Sequence, residues 1–327
     1  MESRSSCAKI RGTIDILTLQ TLARRNDIAE LTAGYGLVIA DECHHVPAAA
    51  FEHAVKQIPA RRWLGLTATP YRRDRLDDLI ALQVGPVRHT IIRDKDQGQN
   101  ASSGTMRPLP LEADTGAPAR KLDLVLKVHP TGFCYTGDAD PSAPGGISAV
   151  YRDLVADDAR TKQIADDVAA ALRRERNCLV LTKWIAHLDR LAEAVRGRGH
   201  DPVVLRGGMG AKARAAALAR LQTEPGDPPL VVVATGPYIG EGFDCPALDT
   251  LFLAAPVGYK GSIVQWAGRI LRAHPGKTSA EVHDYHDLRT PVLAATLTKR
   301  APGYTSLGFT DPRRISSAST AGSDGKH

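Results

Sequence analysis

The run Leu37-Val38-Ile39-Ala40 passes directly into Asp41-Glu42. Four apolar, partly β-branched residues ending at a polar turn predict a short strand buried on both faces. Strands of that kind belong to parallel sheets covered by helices, so this segment already narrows the chain to an α/β fold. It also sets two carboxylates at a strand's carboxyl end, where parallel sheets bind ligands. Adjacent acidic side chains are costly to desolvate there unless they hold something. A metal-bound nucleotide is one such occupant, with the Asp on Mg2+ and the Glu polarising an attacking water. A helix N-cap at Asp41 is the plainer alternative.

The flanking chain alternates in the same way. Residues 14–17 predict a strand, 19–31 a helix, 63–66 a third strand, 75–82 a helix and 87–92 a fourth strand. Between about 94 and 118 the pattern gives way to Gly, Ser, Gln, Asn and Pro, which reads as a linker. A second series follows, with strands at 122–128, 178–181, 203–205, 230–234, 250–253 and 280–285. Helices are expected over 149–174, where acidic residues come early and arginines late, and over 186–196, 211–222 and 263–271. Residues 136–146 interrupt this series as a loop, and a Ser-, Gly- and Thr-rich end predicts a disordered tail. The domains are thus expected at 1–93 and 119–300, with a linker over 94–118 and a tail over 301–327.

Composition sets limits. With 43% apolar and 24% charged residues in 327, global disorder is excluded and two cores can be filled. The net charge of +6 leans toward a polyanionic partner. The five cysteines, Cys7, Cys43, Cys134, Cys178 and Cys245, form no Cys-x-x-Cys pair, which argues against a disulfide scaffold or a zinc ribbon. No apolar run approaches the roughly 18 residues of a membrane helix. A cytoplasmic location and no membrane partner are expected. His44, His45 and His53 look metal-like, but nothing supplies a third ligand at zinc spacing, so a coupling role plus surface histidines is expected; the string His283-Asp284-Tyr285-His286-Asp287, at a strand's end, also looks metal-like, and a structural role is expected for it. Cys43 and Cys245 read as small buried fillers.

Three further segments join Asp41-Glu42-Cys43-His44. They are Leu66-Thr67-Ala68-Thr69-Pro70, Gly240-Glu241-Gly242-Phe243-Asp244, and Gln265-Trp266-Ala267-Gly268-Arg269-Ile270-Leu271-Arg272. In the last, Gln265, Arg269 and Arg272 fall at i, i+4 and i+7, one face of a helix. Two guanidinium groups on one face suit the charge of a transferring γ-phosphoryl group, although a solvated basic face is the commoner fate of such a pair.

In order and spacing these segments resemble a superfamily 2 nucleic-acid helicase, of the group containing type III restriction subunits and excision-repair helicases. The resemblance covers roughly residues 10–300. It implies two RecA-like parallel-sheet domains in tandem, ATP with Mg2+ as the fuel, and nucleic acid as the partner, double-stranded DNA more than RNA. Carried over by position, Asp41 is the Mg2+ ligand and Glu42 the general base of motif II, and His44 couples nucleotide state to the second domain. Thr67, Ala68 and Thr69 match motif III, which links hydrolysis to strand movement. Gly240, Gly242 and Asp244 match motif V, with Asp244 toward the ribose. Gln265, Arg269 and Arg272 match motif VI. Thr18, Gln20 and Thr21 resemble the segment that touches the nucleic-acid backbone, for which short polar side chains are suited. Thr182 in motif IV, Gly207 in the Gly-rich turn and Thr235 complete the nucleic-acid set.

One part of the pattern is missing. A phosphate loop, Gly-x-x-x-x-Gly-Lys-Ser/Thr, should lie well before Asp41, and none of the 40 preceding residues forms one. Gly276-Lys277-Thr278 fails as a substitute, because the first glycine would fall at Leu271 and the string follows a helix rather than a strand; it reads as a turn. The first domain is therefore expected to be incomplete and the 63–66 strand to have an open edge. Three outcomes are compatible with this: a partial translocase inactive alone, a split enzyme whose phosphate loop comes from a separate chain, or a non-hydrolytic nucleic-acid-binding module.

Overall fold

The computed structural model describes residues 14–43, 46, 49–67, 78–90, 122–222, 227–236, 239, 243–258 and 260–314. The chain divides into one unit over 1–95 and another over 96–327, and each is taken by itself.

The first unit contains a two-stranded parallel sheet, β1 (Leu37–Ala40) beside β2 (Arg62–Gly65). Around it lie α1 (Leu19–Leu22), α2 (Ile28–Thr32), α3 (Ala49–Lys56) and α4 (Asp78–Val84). The helix expected over 19–31 is two short ones, and residues 14–18 form no strand, with Ile14 and Ile16 exposed. Alternating β-branched residues made 14–17 look like a strand; among the described residues no neighbour supplies the ladder. Residues 87–90 are likewise not a strand, and 91–92 lie outside the described residues.

Burial corrects a further expectation. β1 is covered on one face only: Leu37 is 50% exposed, Ile39 57%, Leu64 47% and Leu66 45%, and pairing in register gathers them on one side of the sheet. The other side rests on Cys43, Val46, Ile80 and Val84. Gly65 makes that contact possible, since a Cβ there would fall 2.4 Å from Val84 Cγ1. Among the described residues β1 and β2 each pair on one side only.

The second unit is a six-stranded, all-parallel sheet in the order β3-β8-β7-β4-β6-β5. The strands are β3 (Asp123–Pro130), β4 (Cys178–Thr182), β5 (Val203–Leu205), β6 (Val231–Thr235), β7 (Thr250–Leu253) and β8 (Ser279–His286). The helices are α5 (Gly146–Ala156), α6 (Asp158–Leu172), α7 (Ile185–Arg196), α8 (Ala211–Ala219), α9 (Lys260–Ile270) and α10 (Pro291–Ser306). The single helix expected over 149–174 is broken at Asp157, whose carboxylate caps α6 by accepting from Arg160 N at 2.6 Å.

β4, β6 and β7 are buried on both faces, as their apolar runs require. One core packs Leu179, Leu181, Val232 and Leu251 against Ile263, Trp266 and Tyr304. The opposite core packs Val180, Val233 and Phe252 against Ile164, Val168, Leu188 and Leu191.

Strand β8 carries unusual polarity inside. Arg300 of α10 donates Nε and Nη2 to Asp284 at 2.6 Å each, and Tyr304 Oη donates to the same carboxylate at 2.7 Å. Beyond the strand, Asp287 accepts from Arg160 Nε at 2.8 Å and from Thr131 Oγ1 at 2.6 Å. The metal-like string His283–Asp287 is therefore committed to ion pairs and ring contacts, with His283 stacked on His129 at 5.0 Å. Tyr304 and Phe309 are buried, so residues 301–314 are ordered rather than tail; their aromatic rings outweigh the polar composition around them. Residues 315–327 lie outside the described residues.

Arg300→Ala leaves Asp284 buried without its cation and is expected to destabilise the fold by about 3–5 kcal/mol. Arg196→Ala, at an exposed pair with Glu193, should change it by less than about 1 kcal/mol. Urea unfolding of the two variants reads the difference.

Candidate functional site

In the first unit Asp41 and Glu42 form the turn that leaves β1. Two backbone bonds pin this turn to the end of β2: Leu66 N donates to Ala40 O and Cys43 N to Leu66 O, both at 2.9 Å. Glu42 takes a left-handed backbone, φ +48°, which a non-glycine residue adopts at a cost of order 1 kcal/mol or more. Asp41 is exposed and its Oδ1 accepts from Glu42 N at 3.0 Å; Glu42 is half-buried. Thr67 follows Leu66 and is half-buried, so the structure brings the motif II carboxylates and the first motif III residue to neighbouring strand ends. His44, Ala68 and Thr69 lie outside the described residues.

The donor set fits a hydrated metal: an exposed Asp and a half-buried Glu at a parallel sheet's carboxyl edge. The cradle of amides that holds a triphosphate has no counterpart in the sequence. Thr18, Gln20 and Thr21 are exposed on α1, where Thr18 Oγ1 caps the helix, accepting from Thr21 N at 3.2 Å.

In the second unit the motif V and VI residues meet. Arg272 forms an ion pair with Asp244, and Arg269 Nη1 donates to Phe243 O at 2.8 Å. The expected helical face is shorter than its spacing suggests. α9 ends at Ile270, so Arg272 lies beyond it, drawn to Asp244. Gln265 and Arg269 remain on α9, both half-buried. Gly240 and Gly242 lie outside the described residues.

The nucleic-acid set of this unit divides. Gly207 is exposed in the turn after β5. Thr182 and Thr235 end β4 and β6 but are buried, and the Thr182 hydroxyl is taken up by His187 Nδ1 at 2.9 Å and by Trp184 N at 3.4 Å. His187 is fully buried, and its Nε2 has no hydrogen-bond partner among the described residues. Burial, with Arg160 and Arg190 adding repulsion, pushes its pKa from 6.5 down to about 3. Cys43 and Cys245 are buried, as fillers should be.

Two contacts escaped the sequence reading. Gly236, directly after β6, receives the Trp266 ring of α9; a Cβ there would lie 2.4 Å from Cζ2. Lys277, read as part of a simple turn, points its ammonium at the backbone of both the Asp244 turn and the end of α9. A Gly after a β-branched run was visible in the sequence; its partner, Trp266, far along the chain on α9, was not.

Residues 2–72 match the family described as "Type III restriction enzyme, res subunit", and 162–274 the family described as "Helicase conserved C-terminal domain". This is a superfamily 2 helicase-like chain. A protein named helicase 22 of Sulfolobus islandicus filamentous virus is 24% identical over 81% of the chain and 46% of its own length. A protein named as an ATP-dependent RNA helicase of Acanthamoeba polyphaga mimivirus is 32% identical over 22% of the chain and 14% of its own length. The helicase-like chain thus spans less than half the length of these relatives. Among solved structures, a fragment named as an HsdR subunit of a type I restriction enzyme from Vibrio vulnificus shares the fold. It has a TM-score of 0.53 and 21% identity, over 82% of this chain and 45% of that one. The α/β architecture is accordingly of the RecA-like kind. No helix among the described residues is long and apolar enough to cross a membrane.

Two predictions follow from this geometry. Gly236→Ala should displace Trp266 and cost about 1–3 kcal/mol, as overpacking does, with a red-shifted Trp266 emission when Trp63 and Trp184 are replaced by Phe. For His187, an unfolded chain takes up a proton near pH 6.5 while the folded one resists until about 3. Its contribution is therefore complete above pH 6.5 and lost as pH falls toward 3, by up to about 1.4 kcal/mol per pH unit. His187→Gln should flatten that part of a stability–pH curve.

Proposed function

We propose that this helicase-like chain is the motor portion of an ATP-driven DNA translocase. The observation that carries the reading is the strained Asp41-Glu42 turn, tied by backbone bonds to the β2 end that presents Thr67. When bound, magnesium ATP supplies the phosphoryl group whose hydrolysis drives movement. Asp41 holds the metal through its exposed carboxylate, and Glu42 accepts the proton of the attacking water. By the motif resemblance Arg269 and Arg272 would meet the developing charge on the phosphate, turning from Phe243 O and Asp244. The same resemblance gives His44, Ala68, Thr69, Gly240 and Gly242 coupling and nucleotide roles, Gln265 a place in the arginine motif, and Asp244 a contact with the ribose.

Nucleic acid is held without reading its sequence. Thr18, Gln20 and Thr21 offer short polar groups to the phosphate backbone, and Gly207 lets a phosphate approach the turn after β5. Thr182 and Thr235 act indirectly, by shaping the strand ends from within the core. The restriction-subunit family matched over 2–72 favours duplex DNA.

Two features favour a further polypeptide segment, in the same or a separate chain, that supplies the phosphate loop. The 327 residues contain no such loop, and the Leu37, Ile39, Leu64 and Leu66 face of the β1–β2 sheet is open. Parallel sheets are ordinarily covered on both faces.

The chain alone should bind fluorescent duplex DNA of unrelated sequences with similar affinity. That affinity should fall at least about tenfold between 50 and 200 mM salt. It should show no DNA-stimulated ATP hydrolysis. Any assembly that does hydrolyse ATP should lose about 100-fold or more in rate on Glu42→Gln. Turnover insensitive to Glu42→Gln overturns the motor reading, and so does failure to retain DNA at low salt. Robust turnover by the chain alone removes the need for a further segment.

A further inference from the structure

Three cations join the turn after Asp244 to the end of α9, and only two of them belong to the proposed chemistry. Arg272 pairs with Asp244, and Arg269 donates to Phe243 O at 2.8 Å. The third is Lys277, in the turn between α9 and β8. Its Nζ lies 2.5 Å from Pro246 O and 2.7 Å from Leu248 O, on the Asp244 side. It also lies 2.9 Å from Arg272 O and 3.3 Å from Ile270 O, at the end of α9. Those last carbonyls carry the negative end of the helix dipole, where a cation is favoured.

Donor arithmetic separates Lys277 from its neighbours. An ammonium has three N–H groups and here faces four acceptors, so none is left for a phosphate. The arginines are in the opposite position. Each guanidinium has five N–H groups, so an arginine that turns toward a phosphoryl group can weaken its contact with Phe243 O or Asp244, whereas the Lys277 contacts remain. Lys277 bonds only backbone, which stays in place when side chains move.

We propose that Lys277 is a positioning residue that keeps the Asp244 turn fastened to the end of α9 while Arg269 and Arg272 turn from their resting partners. The clamp stands on the contacts alone; what the arginines then do rests on the motor reading above. Acidic and basic groups near the ammonium are Asp249 ahead of β7, Arg176 ahead of β4, and the Arg272–Asp244 pair. Asp249 is occupied by Arg176 at 3.1 Å and does not compete for Lys277 among its hydrogen bonds.

Hydrogen–deuterium exchange of the full chain tests it. Amides of 243–249 and 268–273 report the clamp, and those of 178–182 report the core. Lys277→Met, which keeps the stem, should speed exchange in both clamp segments by about tenfold or more, the equilibrium weight of a lost charge-assisted bond, and leave the core unchanged. Lys277→Arg should restore at least part of the protection. Arg272→Ala should open the same segments by less than about threefold. If Lys277→Met loosens the core as well, Lys277→Gln, which retains a donor, is read in its place. The clamp is overturned if the substitution leaves both segments at wild-type rates, if only 274–278 responds, or if Arg272→Ala opens the turn as far. The motor reading is tested separately, by DNA retention at low salt and by the Glu42→Gln rate of a hydrolysing assembly, so either reading can fail while the other stands.

Discussion

Asp284 and Asp287 hold the second unit together from within one strand and its exit. Arg300 of α10 closes on Asp284 from one face of the sheet, and Arg160 of α6 closes on Asp287. A guanidinium buried to this depth is tolerable only with a carboxylate in bidentate range and its remaining N–H groups on carbonyls or hydroxyls. Arg160 Nη1 meets Ala254 O at 2.6 Å and Arg300 Nη1 meets Thr296 Oγ1 at 2.5 Å, so every guanidinium nitrogen of the two has an acceptor. Helices on either side of the sheet are thereby referred to β8, and β8 to β3 and β7 by parallel register. The loops that leave the carboxyl ends of these strands inherit that rigidity.

The arrangement at the motif V and VI junction depends on it. α9 packs through Ile263, Trp266 and Ile270 into the same core as Tyr304, which Asp284 anchors. With the helix fixed, its far end can be wired to the Asp244 turn by Arg269, Arg272 and Lys277. The first unit offers a contrast. Its carboxylate turn is held by two backbone bonds over a two-stranded sheet with one open apolar face. The same β-α chemistry thus sits on a well-buttressed scaffold in one unit and a half-covered one in the other.

Much of the fold was legible because parallel strands buried on both faces must be short apolar runs. Cys178–Thr182, Val231–Thr235 and Thr250–Leu253 are such strands; Leu37–Ala40 is a strand too, but with one face exposed. Periodicity failed where a neighbour was needed. Residues 14–17 alternate like a strand but form none, and 301–314 look like tail but carry Tyr304 and Phe309 into the core. The break at Asp157 had a local signal, a capping Asp, that a continuous helical period masked.

For the candidate site, the residue types and their order were readable without coordinates. An acidic pair after an apolar run and arginines at helical spacing are chemical requirements that leave a local trace. Contacts between distant segments leave none. The capture of Arg272 by Asp244 beyond the end of α9, the seat of Trp266 on Gly236 and the Pro246 and Leu248 carbonyls on Lys277 each join residues far apart in the chain. Those distances close only when the sheet is assembled, because side-chain direction and burial are set by what packs alongside rather than by the residues next in line.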